Sequence, residues 1–141
     1  MLLAFTINLI LIVLMVFIHY EVLYQLADKL PDLKLKPRYR VLVGVFAILL
    51  AHIAEIWLFA LAYFFAIQIE GFGSLTGNFD HSLLDCSYFS FTNYTTLGYG
   101  DIEPSGHVRF MTGIESLTGL LMITWSASFL FLEMQKNWRK D

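Results

Sequence analysis

The sequence predicts an all-α membrane protein with three transmembrane helices and one shorter helix that enters the membrane without crossing it. Two observations support this class. First, 57% of the residues are apolar and only 15% are charged, against about 45–50% and about 25% in an ordinary soluble domain. Second, three long apolar runs are separated by two polar linkers, the first basic and the second acidic. A length of 141 residues fits one domain.

Each apolar run is a candidate to cross a bilayer. Leu2 to Ile18 carries no charge, and Val41 to Ile69 and Phe110 to Leu132 contain one acid each. A hydrocarbon core of about 30 Å needs about 20 helical residues. The second and third runs are long enough, and the first becomes so if His19 to Tyr24 continue it through the interface. The predicted helices are a peripheral helix at residues 1–24, an outer helix at 41–69 and an inner helix at 107–134.

The basic residues predict the topology, because Lys and Arg near membrane helices stay on the cytoplasmic side. A cleaved signal peptide would place its positive charge before the apolar run, and here no Lys or Arg precedes it. We therefore expect an integral protein of a plasma or bacterial inner membrane, with the N-terminus outside and the C-terminus cytoplasmic. The basic linker, residues 25–40, and the tail, residues 135–141, carry Lys29, Lys34, Lys36, Arg38, Arg40, Lys136, Arg139 and Lys140. Alternatively, the basic residues of the linker bind a lipid headgroup or a partner.

The acidic linker contains the short helix. Gly71, Gly73 and Gly77 predict a flexible outer turn. Asp80 or Ser82 can then cap a helix over residues 82–95, which is too short to span a bilayer. We expect this helix to enter from the outside and the chain to return through an extended segment rich in threonine and glycine.

The composition of residues 96–100 suits a backbone that lines a watery path. Non-helical backbone is tolerated at membrane depth only where it is buried in protein or lines such a path. An extended run whose carbonyls face one axis would form stacked oxygen rings when several copies surround that axis. Gly98 and Gly100 can supply the required dihedral angles at alternate positions, and the Thr96 hydroxyl can add an inner ring. The side chains expected to pack behind this backbone are those of Leu97 and Tyr99.

This segment resembles the potassium channel signature. The residues that carry the resemblance are Thr95, Thr96, Leu97, Gly98, Tyr99, Gly100 and Asp101. With the outer helix, short helix and inner helix in this order, residues 41–134 are similar to the pore domain of the tetrameric potassium channel family. The resemblance implies that four identical chains surround one pore. It also implies that the carbonyls of residues 96–99 and the Thr96 hydroxyl bind K⁺, with Asp101 at the outer mouth. We call residues 96–100 the filter segment and residues 82–95 the pore helix.

The resemblance assigns supporting roles as well. Leu97 stands where the family more often has valine, which leaves the carbonyl ligand in place. Thr92 and Thr95 support the filter segment; some members have glutamate at the position of Thr92, so filter inactivation is expected to differ. Gly119 aligns with the hinge glycine of the inner helix, although a glycine there can equally serve close packing. The candidates for the cavity wall are Leu120, Ile123 and Ala127.

Three polar residues stand inside the predicted spans, where an acid costs about 2.5–3.5 kcal/mol on insertion scales. His52 and Glu55 are three residues apart and share one helical face. Counting about 1.5 Å of rise per residue, we place both at about the depth of Glu115. We expect a polar cluster of all three that joins the outer and inner helices. Alternatively, each finds a separate local partner, such as a pore-helix hydroxyl.

His81 and His107 flank the outer mouth and are candidate pH sensors, or passive loop residues. We expect a potassium-selective channel with no enzymatic activity, no cofactor beyond permeant K⁺ and no nucleic acid partner. Two alternatives are a weakly selective cation channel and a non-conducting accessory subunit of a larger channel, although an accessory subunit would not need Gly98 and Gly100. No helix carries regularly spaced arginines, so we expect no voltage sensor.

Overall fold

The computed structural model describes residues 1–138 and consists mainly of helices. Three helices are long and apolar enough to cross a membrane, so the predicted class of all-α membrane protein is confirmed. The ends of the predicted tail, Arg139 to Asp141, lie outside the described residues. The elements are α1 (Leu2–Lys29), a 3₁₀ turn (Leu30–Asp32), α2 (Pro37–Ala66), β1 (Leu75–Gly77), α3 (Leu83–Tyr94), β2 (Ile102–Pro104) and α4 (Val108–Trp138).

The basic linker is shorter than the sequence indicated. α1 continues to Lys29 rather than ending near residue 24, and α2 begins at Pro37 rather than at residue 41. Proline suits the first turn of a helix, because its missing N–H would have no intrahelical acceptor there. At its other end α2 stops at Ala66, three residues before the predicted boundary.

One stripe of α1 packs against the rest of the chain. Its buried residues recur every three or four positions, which is the spacing of a single helical face. The stripe packs against α2 and α4, while the opposite face exposes Phe5, Val13 and Phe17. The buried stripe consists of Ala4, Asn8, Leu11, Met15, His19 and Leu23. A helix with a buried stripe and an apolar exposed face suits a position between protein and lipid.

The short helix α3 packs against both α2 and α4. It begins where the Ser82 hydroxyl accepts a hydrogen bond from the Asp85 N–H at 3.0 Å, which satisfies one free donor of the first turn. Cys86 and Phe89 are buried in the core, and Tyr94 is the last helical residue. Its position between the two long helices brings the residues after Tyr94 beside α4.

Two of the three glycines of the outer loop, Gly73 and Gly77, lie in close backbone contacts rather than in a flexible turn, while Gly71 is an exposed turn residue with open space around it. β1 pairs antiparallel with β2, with Thr76 opposite Glu103. A Cβ atom on Gly73 would lie 2.2 Å from the Ser105 carbonyl oxygen, and one on Gly77 would lie 2.3 Å from that of Asp101. These glycines are therefore needed for close backbone approach, and the two paired strands hold the residues that follow residue 100.

Candidate functional site

The filter segment follows α3 as an extended chain with an alternating backbone. Thr96, Gly98 and Gly100 have φ values of 60°, 52° and 77°, all in the left-handed region. Glycine adopts this region freely, whereas a β-branched residue such as threonine rarely does. The sequence indicated the two glycines. Thr96 has the same conformation, so positive φ values occur at every second residue from 96 to 100. Because threonine rarely adopts this conformation, the backbone is strained at the start of the segment.

Backbone hydrogen bonds hold the segment at its two ends. The Gly98 N–H donates to the Thr92 carbonyl at 3.0 Å, and the Thr96 N–H donates to the Asn93 carbonyl at 2.9 Å. At the outer end, the Asn78 N–H donates to the Asp101 carbonyl at 2.9 Å. Between these anchors, the carbonyls of residues 96–99 accept no hydrogen bond from any residue that the structure describes. Backbone carbonyls normally have a partner, so this run of oxygen atoms is available to a ligand.

The side chains of Leu97 and Tyr99 are mostly exposed in the single chain, rather than packed behind the backbone as expected. Leu97 is 58% exposed and Tyr99 is 66% exposed. The Tyr99 ring stacks on the Tyr88 ring, with the ring centroids 6.4 Å apart. The Tyr88 hydroxyl in turn donates to the Asp101 carboxylate at 2.9 Å, and this hydrogen bond raises the pKa of Tyr88 because it stabilises the protonated phenol. Asp101 thus connects the outer end of the segment to α3.

The two threonines expected to support the filter segment differ in their surroundings. Thr92 is buried, and its hydroxyl donates to the Phe89 carbonyl at 2.9 Å. Its own carbonyl accepts the Gly98 hydrogen bond described above. Thr95 is exposed, and its hydroxyl donates to the Phe91 carbonyl at 2.7 Å. Thr92 therefore contacts the filter segment through its backbone, while Thr95 closes the last turn of α3.

Gly119 is a packing contact. It is buried in α4, and a Cβ atom there would lie 2.4 Å from the Tyr94 carbonyl oxygen. α4 thus approaches the end of α3 as closely as its backbone permits. α4 is continuous through this residue, and the hinge role stays a prediction. Of the cavity candidates on the next turns of α4, Leu120 and Ala127 are exposed and Ile123 is partly buried.

A buried polar network joins four helices behind the filter segment. His52 and Glu55 contact each other, with 3.3 Å between His52 Nδ1 and Glu55 Oε2. His19 of α1 contacts the other carboxylate oxygen at 2.8 Å, and the Tyr94 hydroxyl donates to Glu55. Ser126 of α4 lies 3.2 Å from His19 Nε2 and 3.1 Å from His52 Nε2. We call these five residues the polar network.

Glu115 is not a member of the polar network, so the expected three-residue cluster is wrong in this respect. The Glu115 carboxylate accepts hydrogen bonds from the Tyr63 and Ser90 hydroxyls. Ser90 belongs to α3, so this contact matches the alternative of a local pore-helix partner. The α4 residue that reaches His52 is Ser126, eleven positions or about 16 Å farther along the helix. Counting rise from the loop ends did not place the right α4 residue beside His52.

His81 and His107 lie in the outer loops and pack on aromatic rings. The His81 ring is 4.8 Å from that of Phe79 and the His107 ring is 5.5 Å from that of Phe72, measured between centroids. The His107 N–H also donates to the Phe72 carbonyl at 2.7 Å. The structure does not bring the two histidines together with the filter segment, and pH sensing stays a prediction.

Sequence reasoning missed three residues of the polar network. His19 was assigned only to the interfacial extension of the first helix, and Tyr94 and Ser126 were given no part in the cluster. A signal was present for His19, because a histidine inside an apolar span requires a buried partner. No comparable signal marked Ser126, which resembles any other small residue of a membrane helix.

The fold and the site together define an integral membrane protein with an exposed, backbone-lined segment. The chain matches the model of a family described as "Ion channel" over residues 39–136. This match covers 98 of its 141 residues, and the chain belongs to this ion channel family. The comparisons with curated proteins and with solved structures find no match. All of α1 lies outside the matched residues.

Proposed function

We propose that this ion channel is potassium-selective and conducts K⁺ passively through the filter segment. The single observation that carries the proposal is the run of carbonyls at residues 96–99, which have no hydrogen-bond partner among the described residues. K⁺ channels replace the hydration shell of the ion with such backbone oxygens. The proposed K⁺ ligands are these carbonyls and the Thr96 hydroxyl, with Gly100 and Asp101 at the outer end.

Conduction through this segment requires several copies of the chain, and we propose a homotetramer. One chain supplies one line of oxygen atoms, while a closed ring needs equivalent lines around an axis. The exposure of Leu97 and Tyr99 supports assembly, because large apolar side chains beside a filter would otherwise face water. The number four rests on the resemblance to tetrameric potassium channels.

The membrane orientation is also a proposal. Of the nine Lys and Arg residues, five precede Val41 and three follow Leu132, while Arg109 alone lies at the start of α4. This bias favours an external N-terminus, an external filter loop and a cytoplasmic C-terminus. In that orientation the C-terminal end of α3 would point inward, and the partial negative charge of its helix dipole would stabilise a cation in a central cavity.

The test is ion flux from liposomes that contain only this protein. We expect K⁺ flux to exceed Na⁺ flux strongly, and the purified protein to have the mass of a tetramer. Flux of both ions at similar rates would support the alternative of a weakly selective cation channel. Assembled protein that carries neither ion would support the accessory-subunit alternative. Full K⁺ flux from a monomer or dimer would contradict the pore of four chains.

Gly98→Ala tests the filter assignment, and Gly71→Ala is its matched control. Both glycines have positive φ, and in both cases a Cβ atom would meet no other atom within 4 Å. Each substitution therefore adds a similar backbone penalty, of roughly 1–2 kcal/mol for a left-handed residue. Only Gly98→Ala should abolish selective K⁺ flux, because it moves filter carbonyls. Unchanged selectivity in Gly98→Ala would refute the assigned filter.

A further inference from the structure

The polar network has the geometry of a metal-binding site. One ligand atom from each of His19, His52 and Glu55 lies within 4.8 Å of the other two. His19 Nδ1 is 2.8 Å from Glu55 Oε1, and His52 Nδ1 is 3.3 Å from Glu55 Oε2. Ligands of one tetrahedral Zn²⁺, each bound at about 2.1 Å, stand roughly 3.4 Å apart. Small side-chain adjustments would therefore bring all three ligands onto one ion.

The second nitrogen of each histidine is placed as a metal site requires. Both Nδ1 atoms face the Glu55 carboxylate, and both Nε2 atoms face the Ser126 hydroxyl. Two neutral histidines with both protons on Nδ1 leave one Nε2 atom without a donor, because Ser126 has a single proton; without a metal ion, one additional proton in the network would satisfy it. If a metal ion occupies both Nδ1 positions, both Nε2 atoms carry protons and the Ser126 oxygen accepts both. Histidines that bind metals commonly direct the other N–H to such an oxygen.

A fourth ligand is available in the same network. The Tyr94 hydroxyl lies 2.7 Å from His52 Nδ1 and also bonds to Glu55. Two imidazole nitrogens with carboxylate and phenol oxygens suit Zn²⁺ and related divalent transition metals. Ca²⁺ and Mg²⁺ prefer oxygen ligands alone. The side chains of His19 and Glu55 are buried and that of His52 is 15% exposed, so the three ligands are largely shielded from solvent.

We propose that His19, His52 and Glu55 bind a divalent transition-metal ion of the Zn²⁺ class, with Tyr94 as the nearest fourth ligand. The ion would join α1, which lies outside the residues of the ion channel match, to α2. Through Tyr94 it would also reach the end of α3, two residues before Thr96. Metal occupancy would then regulate conduction by fixing or releasing the inner end of the filter segment, and this last step rests on the proposed function.

The binding test uses Co²⁺ as a spectroscopic substitute for Zn²⁺ on the full chain, purified in detergent and stripped with a chelator. We expect one Co²⁺ per chain, with the intense visible absorption of a four-coordinate site, and displacement by Zn²⁺. His19→Asn and His52→Asn should each abolish this absorption, while the exposed-loop control His81→Asn retains it. Ser126→Ala keeps the ligands and should weaken binding about 10–100-fold, which tests the site even if a histidine variant fails to fold.

The site is refuted if the folded protein shows no saturable four-coordinate Co²⁺ absorption, or if His19→Asn and His52→Asn bind like the unsubstituted protein. For regulation, Zn²⁺ added to liposomes should change K⁺ flux at least twofold in the unsubstituted protein and leave His52→Asn unchanged. Zn²⁺ binding without any change in flux would overturn the regulatory step. Liposomes without K⁺ flux would contradict the proposed function, while the Co²⁺ titration would still decide the metal site.

Discussion

Replacing Gly119 with alanine tests whether α4 needs a glycine for packing. The new Cβ atom would lie 2.4 Å from the carbonyl oxygen of Tyr94, 3.0 Å from its Cγ and 3.1 Å from its carbonyl carbon. Ordinary contact begins at 3.4 Å, so the backbone at the end of α3 would have to move by about 1 Å. Because the filter segment begins two residues later, the same movement would displace its inner carbonyls.

The magnitude follows from two opposing effects. Overpacking by one methyl group in a closely packed core costs about 1–3 kcal/mol, while alanine is favoured over glycine within a helix by about 0.8–1.0 kcal/mol. Gly113→Ala is the matched control, since Gly113 lies in the same helix and its Cβ atom would meet nothing within 4 Å. Gly113→Ala should therefore show only the favourable effect. Gly119→Ala should be less stable than Gly113→Ala by about 1–3 kcal/mol.

The assay is thermal unfolding of both variants in the same detergent, together with K⁺ and Na⁺ flux from liposomes. At roughly 2–4 °C per kcal/mol for a chain of this size, Gly119→Ala should melt at least about 2 °C below Gly113→Ala and lose selectivity. A Gly119→Ala protein as stable as Gly113→Ala would refute the packing argument. If its conduction were altered without loss of stability, a hinge would be the better explanation.

Two further predictions concern hydrogen bonds made by Glu115 and Tyr88. Glu115→Leu leaves the buried Tyr63 hydroxyl without its carboxylate acceptor, at a cost of about 1–3 kcal/mol, whereas the Ser90 hydroxyl keeps the Ile56 carbonyl as an acceptor. Adding Tyr63→Phe should recover part of this loss. Double-mutant cycles on unfolding should give a larger coupling for Glu115 with Tyr63 than with His52, and equal couplings would contradict the separate sites. Tyr88→Phe removes the hydrogen bond to Asp101. Because that hydrogen bond raises the pKa of Tyr88, it stabilises the fold fully below the ordinary tyrosine pKa of about 10. The stabilisation is lost as the pH rises through the raised pKa. The melting-temperature difference between Tyr88→Phe and the unsubstituted protein should accordingly shrink above pH 10, and a constant difference would exclude this ionisation.

The sequence by itself determined the membrane class, the three spans and the glycines at residues 98 and 100 that adopt positive φ. Apolar runs of this length have few stable alternatives to membrane helices, because every backbone polar group must be satisfied within the segment. Gly98 and Gly100 could be recognised from the sequence because a positive φ is readily adopted only by glycine. Helix boundaries were less exact: Pro37 begins α2, although the apolar run begins four residues later.

Only the tertiary structure decided which polar residues meet. Depth along a helix can be counted, but helix tilt and rotation about the axis are set by packing between elements far apart in sequence. His19 and Ser126 are 107 residues apart, and Glu115 contacts Ser90 because α3 lies between α2 and α4. The roles of Gly73, Gly77 and Gly119 likewise depend on the backbone that approaches each of them. The residue type indicates that a polar group needs a hydrogen-bond partner or that a glycine permits close contact. Only the packed chain shows which residue is that partner or makes that contact.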